Sequence, residues 1–430
     1  MKERSLLKDS MISGFALFAM LFGAGNIIFP PYIGVVTGEE WLVTFLAYFF
    51  ADIGLALLAL IALLKSRNID RFTNIMTRLG PNTSKVMMAL VMFSICFISG
   101  PRTCTVSFEL AAMPIFQESA NLWFWSIGYF TIIWFFTIKE NKVVDLVGKF
   151  LTPTLVIGLI IMIIIGAISP AGEMLPPRVD NAWYTGIIAG YQTLDAVGVC
   201  TFAFFIAQDL TNKGYDTPEK KISAVMRASV AMGALMLIIY GGLCYLGAVN
   251  SSLYGPETGH GALIVNLVYR ILGYGGNVFF GIVVTVACLT TAIAVVSSLS
   301  TFLVKLSNGK LRYNVLVTLF AFSFMLIANL GLATILAIAV PVFTVMFPAA
   351  LVMVLLSQFD DKIKNDNIFR IAAGFAVIFG AMELLQGYGV GAFDIIQVVP
   401  LQPHGFGWFL PAMAGAVVGY FIKPQKGNAS

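Results

Sequence analysis

The chain has 430 residues, 59% of them hydrophobic and only 11% charged, with a formal net charge of +4. No soluble domain of this size is so apolar. A bilayer core about 30 Å thick takes about 20 apolar residues per helical span, so the chain reads as an all-α polytopic membrane protein of about 12 transmembrane helices. Alternating barrel strands are absent. The basic residues sit in short loops between apolar runs, which excludes nucleic acid as a partner. No Walker, nucleophile-elbow, HExxH or dinucleotide motif is present. ATP-driven transport and enzymatic chemistry therefore have no support, and neither a catalytic residue nor a resident cofactor is expected.

The first apolar run follows MKERSLLKDS and mimics a secretory signal. It is too long for one, contains Pro30-Pro31 and lacks an A-x-A site, so it reads as a retained helix, span 1, at 11–35. At its centre stands FGAGNIIFPP, interrupted at Gly23-Ala24-Gly25-Asn26. Unwound backbone at membrane depth is tolerated only where it lines a site. The freed N–H groups attract an anion such as a carboxylate, and the freed carbonyls a small cation. Asn26 adds an amide to either task. Glycines that merely let helices pack closely are the competing reading.

Span 2, at 41–64, carries Asp52, and span 3, at 85–113, carries Arg102 and Glu109. Ionisable groups inside a span are functional candidates. Arg102 and Glu109 are about two helical turns apart on one face, and either can pair with Asp52. A purely structural ion pair is the alternative for Arg102. Spans 4 and 5 follow at 121–138 and 147–169.

Span 6, at 183–209, breaks at GYQTLDAVG, Gly190 to Gly198, with Thr193, Leu194 and Asp195 inside the break. Paired breaks in corresponding positions of two halves point to an inverted-repeat transporter. Residues 11–169 would form the first repeat and 183–357 the second, inverted one, with 367–423 outside both, all in one transmembrane domain. After span 7, at 224–249, a loop at about 250–276 carrying GPETGHG is expected to cap the outer face.

Span 8, at 277–303, reads VACLTTAIAVVSS. Ala287, Thr290 and Thr291 fall on one helical face, and two hydroxyls with a free carbonyl suit a hard cation. Hydroxyls bonded back to their own helix are the alternative. Spans 9 to 12 are placed at 312–329, 332–357, 367–388 and 404–423.

Lysine and arginine cluster before span 1 and after every second span, while the opposite loops hold only Arg178 and Arg270. The positive-inside rule then puts both termini in the cytoplasm of a multi-pass cell-membrane protein. Cys96, Cys104, Cys200, Cys244 and Cys288 lie in apolar runs without a CxxC pair and read as packing residues. The two histidines, His260 and His404, fall in predicted external loops. Proton coupling would thus need Asp52, Glu109 or Asp195.

FGAGNIIFPP, PRTCTVSFE at 101–109, GYQTLDAVG and NLGLATILAIAVPVF at 329–343, with the later Pro348, together resemble the branched-chain amino acid:cation symporter family of the BrnQ type. The resemblance covers almost the whole chain. Tyr32 after Pro30-Pro31, and Cys104 inside the PRT segment, are modest departures. The resemblance implies import of leucine, isoleucine and valine with Na+, or in some members H+, as the co-transported ion. It also implies the LeuT fold, a five-plus-five inverted repeat with helices 1 and 6 broken. By the same likeness, Ala19 and Phe22 carbonyls join Ala287, Thr290 and Thr291 around the cation. The substrate would lie on Gly23, Ala24, Gly25, Asn26 and Ile27 and on Thr193, Leu194, Asp195 and Gly198. Its carboxylate would meet the N–H groups of Gly25, Asn26 and Ile27, and its ammonium the carbonyls of both breaks. One methylene changes binding by only about 1–3 kcal/mol, so all three side chains should be accepted. The rivals are proton coupling with the same substrates, a non-transporting membrane sensor, for which no signalling segment is visible, and a channel, for which no continuous polar lining is visible.

Overall fold

The computed structural model describes residues 10–15, 17–18, 21–58, 78–138, 143–193, 217–360 and 362–423, and their side chains except at 81–82, 143–152, 218–219 and 221. Every regular element among them is helical. Helical backbone at 10–15 and 17–18 stops at Phe22 and Gly23, and α1 (Ala24–Thr37) begins anew. There follow α2 (Trp41–Phe49), α3 (Pro81–Ser107), α4 (Leu122–Ile138), α5 (Val143–Ile168) and α6 (Ala182–Tyr191). Next come α7 (Pro218–Ala248), α8 (His260–Leu306), α9 (Tyr313–Ala328), α10 (Leu332–Ser357), α11 (Asn367–Gly387) and α12 (Phe409–Phe421).

These helices fall on the twelve predicted runs, with one difference of kind. Residues 260–272, expected in a loop, are helical, and Gly273 at φ 69° and ψ −174° separates them from the rest of α8. Only glycine takes that conformation without strain. Outward faces are apolar: Phe124 is 79% and Ile168 76% exposed. A contiguous apolar exterior of this kind suits lipid rather than water. Among the described residues, six helices are long and apolar enough to cross a bilayer.

Two helices widen into π-turns, and each holds an acid. Asp52 lies in Phe50–Gly54 after α2, and Glu109 in Phe108–Ala112 after α3. A π-turn misaligns the backbone ladder and is frequent at functional sites.

The helices that carry the breaks approach their neighbours through glycine. A Cβ at Gly34 would collide with the Cys244 carbonyl, and one at Gly247 with the Pro31 carbonyl, so α1 and α7 touch backbone to backbone. Gly186 and Gly190 set α6 on α2 in the same way: a Cβ at Gly190 would stand 2.7 Å from the Ala51 Cβ. Gly281 does so for α8 on the Leu110 carbonyl after α3. In lipid no hydrophobic drive holds helices together, so close van der Waals contact between small residues must.

Candidate functional site

The break in span 1 is built by sequence. Gly23 is the N-cap of α1, with extended backbone (φ −111°, ψ −165°) and no side-chain capping bond. The first N–H groups of a helix have no intrahelical acceptor, and they carry the positive end of its dipole. Further along, Pro30 and Pro31 lie inside α1. Neither supplies an N–H, so the carbonyls of Asn26 and Ile27 lose their usual partners. Phe22 to Pro31 therefore exposes donors at one end and acceptors a turn later, which is what an amino acid requires.

Asn26, 2% exposed, donates through Nδ2 to the hydroxyl of Tyr240 on α7. The Tyr240 ring sits 6.1 Å from Phe22 and 5.5 Å from Tyr48. The amide predicted to serve the ligand is thus aimed by a buried aromatic cluster. Gly23, Ala24, Gly25 and Ile27 are buried alongside it.

At the break in span 6, α6 ends at Tyr191 with Gln192 as its C-cap, and Thr193 turns back so that its Oγ1 donates to the Gly190 carbonyl at 2.6 Å. Leu194, Asp195 and Gly198 lie outside the described residues, as do Ala19 and Cys200. Thr193 Oγ1 also lies 2.7 Å from Oδ1 of Asp52, which is fully buried. The π-turn after α2 thereby holds the broken end of α6.

Arg102 joins the two breaks. The residue is 3% exposed, and its Nη1 donates to the Gln192 carbonyl at 2.7 Å. A Cβ placed on Gly25 would lie 3.0 Å from Nη2, and Cζ sits 5.8 Å from the Phe29 ring centre. The cation thus rests on the negative end of α6 while facing the positive end of α1.

The sequence spacing places Glu109 on the Arg102 face. Glu109 reaches the other way and accepts from the Gly261 N–H in the first turn of α8. The π-turn rotates it off the Arg102 face. The same turn of α8 stacks His260 on Tyr32, with ring centres 3.8 Å apart, and sets its edge on Phe29 at 5.6 Å. His260 therefore sits in a packed cap over α1 rather than in a loop.

On α8, Thr290 Oγ1 donates to the Ala287 carbonyl at 2.8 Å and Thr291 Oγ1 to the same carbonyl at 3.2 Å. The carbonyl read as free is thus engaged by both hydroxyls, the back-bonded alternative. Each hydroxyl keeps acceptor lone pairs, and the Thr291 side chain lies beside the break. A Cβ on Gly23 would lie 3.8 Å from Thr291 Oγ1. Phe22, whose N–H is bonded to the Phe18 carbonyl at 2.7 Å, adjoins this point.

One buried acid escaped the sequence reading. Glu383 on α11 is 7% exposed and faces Tyr184 and Tyr191 on α6. The signal was available: it is the only acid in the run 367–388.

An interrupted helix and a second that ends beside it among buried polar groups, inside an all-helical apolar bundle, fit the transporters of the LeuT-like fold. Solved structures agree on the fold. The inward-facing conformation of Mhp1 matches with a TM-score of 0.60, at 15% identity over 94% of this chain and 90% of that one. A Na+-coupled sialic acid symporter matches with a TM-score of 0.52, at 11% identity over 98% and 97%. The family model described as "Branched-chain amino acid transport protein" matches residues 6–426, and the chain belongs to that family. Among relatives, the branched-chain amino acid permease BraB of Bacillus subtilis (strain 168) is 31% identical over 99% of both chains. The branched-chain amino acid transport system 2 carrier protein of Pseudomonas aeruginosa is 28% identical over 95% of both.

Proposed function

We propose that this protein is a symporter that imports leucine, isoleucine and valine together with Na+ by alternating access, multi-pass in the cell membrane with both termini cytoplasmic. The observation that carries the reading is that the break in span 1 meets Arg102 on one side and Thr291 on the other. A carboxylate held on the N–H groups of Gly25, Asn26 and Ile27 would also meet the Arg102 guanidinium, and a guanidinium fork matches a carboxylate in shape and charge. The ammonium would take backbone carbonyls at the two breaks. Na+ would sit between the Phe22 region and the lone pairs of Thr290 and Thr291, since a hard cation prefers oxygen ligands. The carboxylate lies nearby, so each ligand raises the affinity of the other. The repeat boundaries 11–169 and 183–357 belong to this reading, as does the absence of a catalytic step.

A second reading keeps the substrates and couples them to protons. It rests on Asp52, a buried acid bonded to Thr193 at the break in span 6. Counterflow of labelled isoleucine in proteoliposomes, with and without Na+ over a series of pH values, separates the two. Stimulation by Na+ at constant pH supports symport with Na+. Stimulation by an inward proton gradient, with no effect of Na+, supports the second reading.

A further inference from the structure

The span 11 acid lies outside the site described above and outside the two repeats, and it has a defined setting. Glu383 stands one turn from the end of α11, and its Oε1 is fully buried with no hydrogen-bond partner among the described residues. A second orphan lies nearby. Trp408 Nε1, at the start of α12, is likewise buried and without a hydrogen bond of good geometry, though it approaches the Tyr191 hydroxyl. Tyr191 spends its own proton on the Gly405 carbonyl at 3.2 Å. An acid oxygen, an indole N–H and two tyrosines therefore share one buried patch against α6, the described half of broken span 6.

A buried carboxylate needs a counter-charge or a proton, because removing the charge from water costs several kcal/mol. Among the described residues no counter-charge faces it. Tyr184 and Tyr191 are the titratable groups on α6 that do. Of the elements packed against α11, α10 contains no titratable residue, α12 contains only Tyr420 and the turn 391–398 only Asp394, both exposed. His404 and Tyr388 are exposed, and Arg370 lies at the opposite end of α11. A metal ion fits poorly, since the indole N–H presents a positive edge and too few oxygens converge.

We propose that Glu383 is a proton-binding site that ties the packing of the outer half of span 6 to external pH. A hydronium ion gives its proton to the carboxylate; water leaves, and the side chain passes from −1 to neutral. The neutral acid stays buried with a donor to offer the tyrosine oxygens. The ionised form must be hydrated, which opens the patch that Glu383 shares with Tyr184 and Tyr191. Uptake then rises as the external pH falls. This proposal rests on the transport reading only for its second test.

The first test is infrared difference spectroscopy of the purified full chain across a pH titration, wild type against Glu383→Gln. A protonated-carboxyl carbonyl band present at neutral pH in wild type and lost in the variant is expected; identical spectra would overturn the proposal. The second is the initial rate of labelled isoleucine uptake against external pH. The response is expected to fall from about fivefold over about two pH units in wild type to within about 1.5-fold in Glu383→Gln, and to return in Glu383→Asp, which keeps the acid. A wild-type pH profile in Glu383→Gln would overturn the proposal. If wild type takes up no isoleucine at any pH, the transport reading fails, and the infrared comparison alone decides for or against Glu383.

Discussion

Arg102 on α3 and Gln192 at the end of α6 are 90 residues apart, and the guanidinium of one donates to the carbonyl of the other at 2.7 Å. The bond places a buried positive charge at the negative end of one interrupted helix and beside the start of another. Hydrogen bonds to charged groups contribute about 1.5–3 kcal/mol, so this one fixes the relation between the two breaks. Any movement of α6 against α3 must stretch or remake it.

Arg102→Lys is expected to cut isoleucine uptake by at least about tenfold at matched expression. Lysine keeps the charge but is a point donor that cannot hold Gln192 and a carboxylate together. Uptake within about twofold of wild type would remove Arg102 from the substrate path.

Gly25→Val is expected to abolish uptake while the protein still inserts. The added Cβ would lie 3.0 Å from Arg102 Nη2, and the branch would cover the N–H groups of the break. Overpacking costs about 1–3 kcal/mol, too little to unfold the bundle. Gly25→Ala should fall between. Labelled uptake, normalised to protein in the membrane fraction, decides the order of the three.

Asp52→Leu and Thr193→Val each remove one partner of the 2.7 Å bond at the end of α6. Each is expected to slow uptake by a similar factor, and the double variant to be no slower than the worse single one, because partners in one bond are not additive. A double variant as slow as the product of the two losses would show that they act separately.

Gly186→Leu is expected to lower the thermal stability of the purified protein, because its side chain would strike the Thr44 carbonyl and stand 2.8 Å from the Ala47 Cβ. Adding Ala47→Gly should recover part of the loss. A melting temperature unchanged by Gly186→Leu would mean that α6 and α2 can separate freely.

The apolar runs made the bundle legible: α10 was placed at 332–357 and is found at Leu332–Ser357. Gly23 marked the break in span 1, where unwound backbone at membrane depth lines a site, whereas Gly190 lies inside α6 and packs it on Ala51. The π-turns around Asp52 and Glu109 had no sequence signal, as an extra residue in a helical turn leaves the apolar pattern intact. Asp52 therefore read only as a buried acid of span 2, although its bond to Thr193 brings it to the end of α6. Arg102 was legible as a buried cation, but its partner was not, since a backbone carbonyl 90 residues away carries no residue signature. Residues 260–272 form a helix too short to span a bilayer, and its apolar face is covered by α1, so hydropathy alone assigned it to a loop.

The central claim is that the break in span 1 and the Thr290–Thr291 face of α8 together bind the driving cation with the substrate. A Na+ titration of labelled isoleucine uptake, in wild type and in Thr291→Ala, tests it most directly. Removing one oxygen from the cation shell should raise the Na+ concentration for half-maximal uptake by about tenfold and leave the maximal rate at saturating Na+ within about twofold. Thr290→Ala should act in the same direction. Ser297→Ala, whose hydroxyl is bonded to Tyr313 at 3.1 Å and lies nearly two turns away, should change little. A Na+ response identical to wild type in both threonine variants would contradict the account and leave protons, through a buried carboxylate such as Asp52, as the coupled ion.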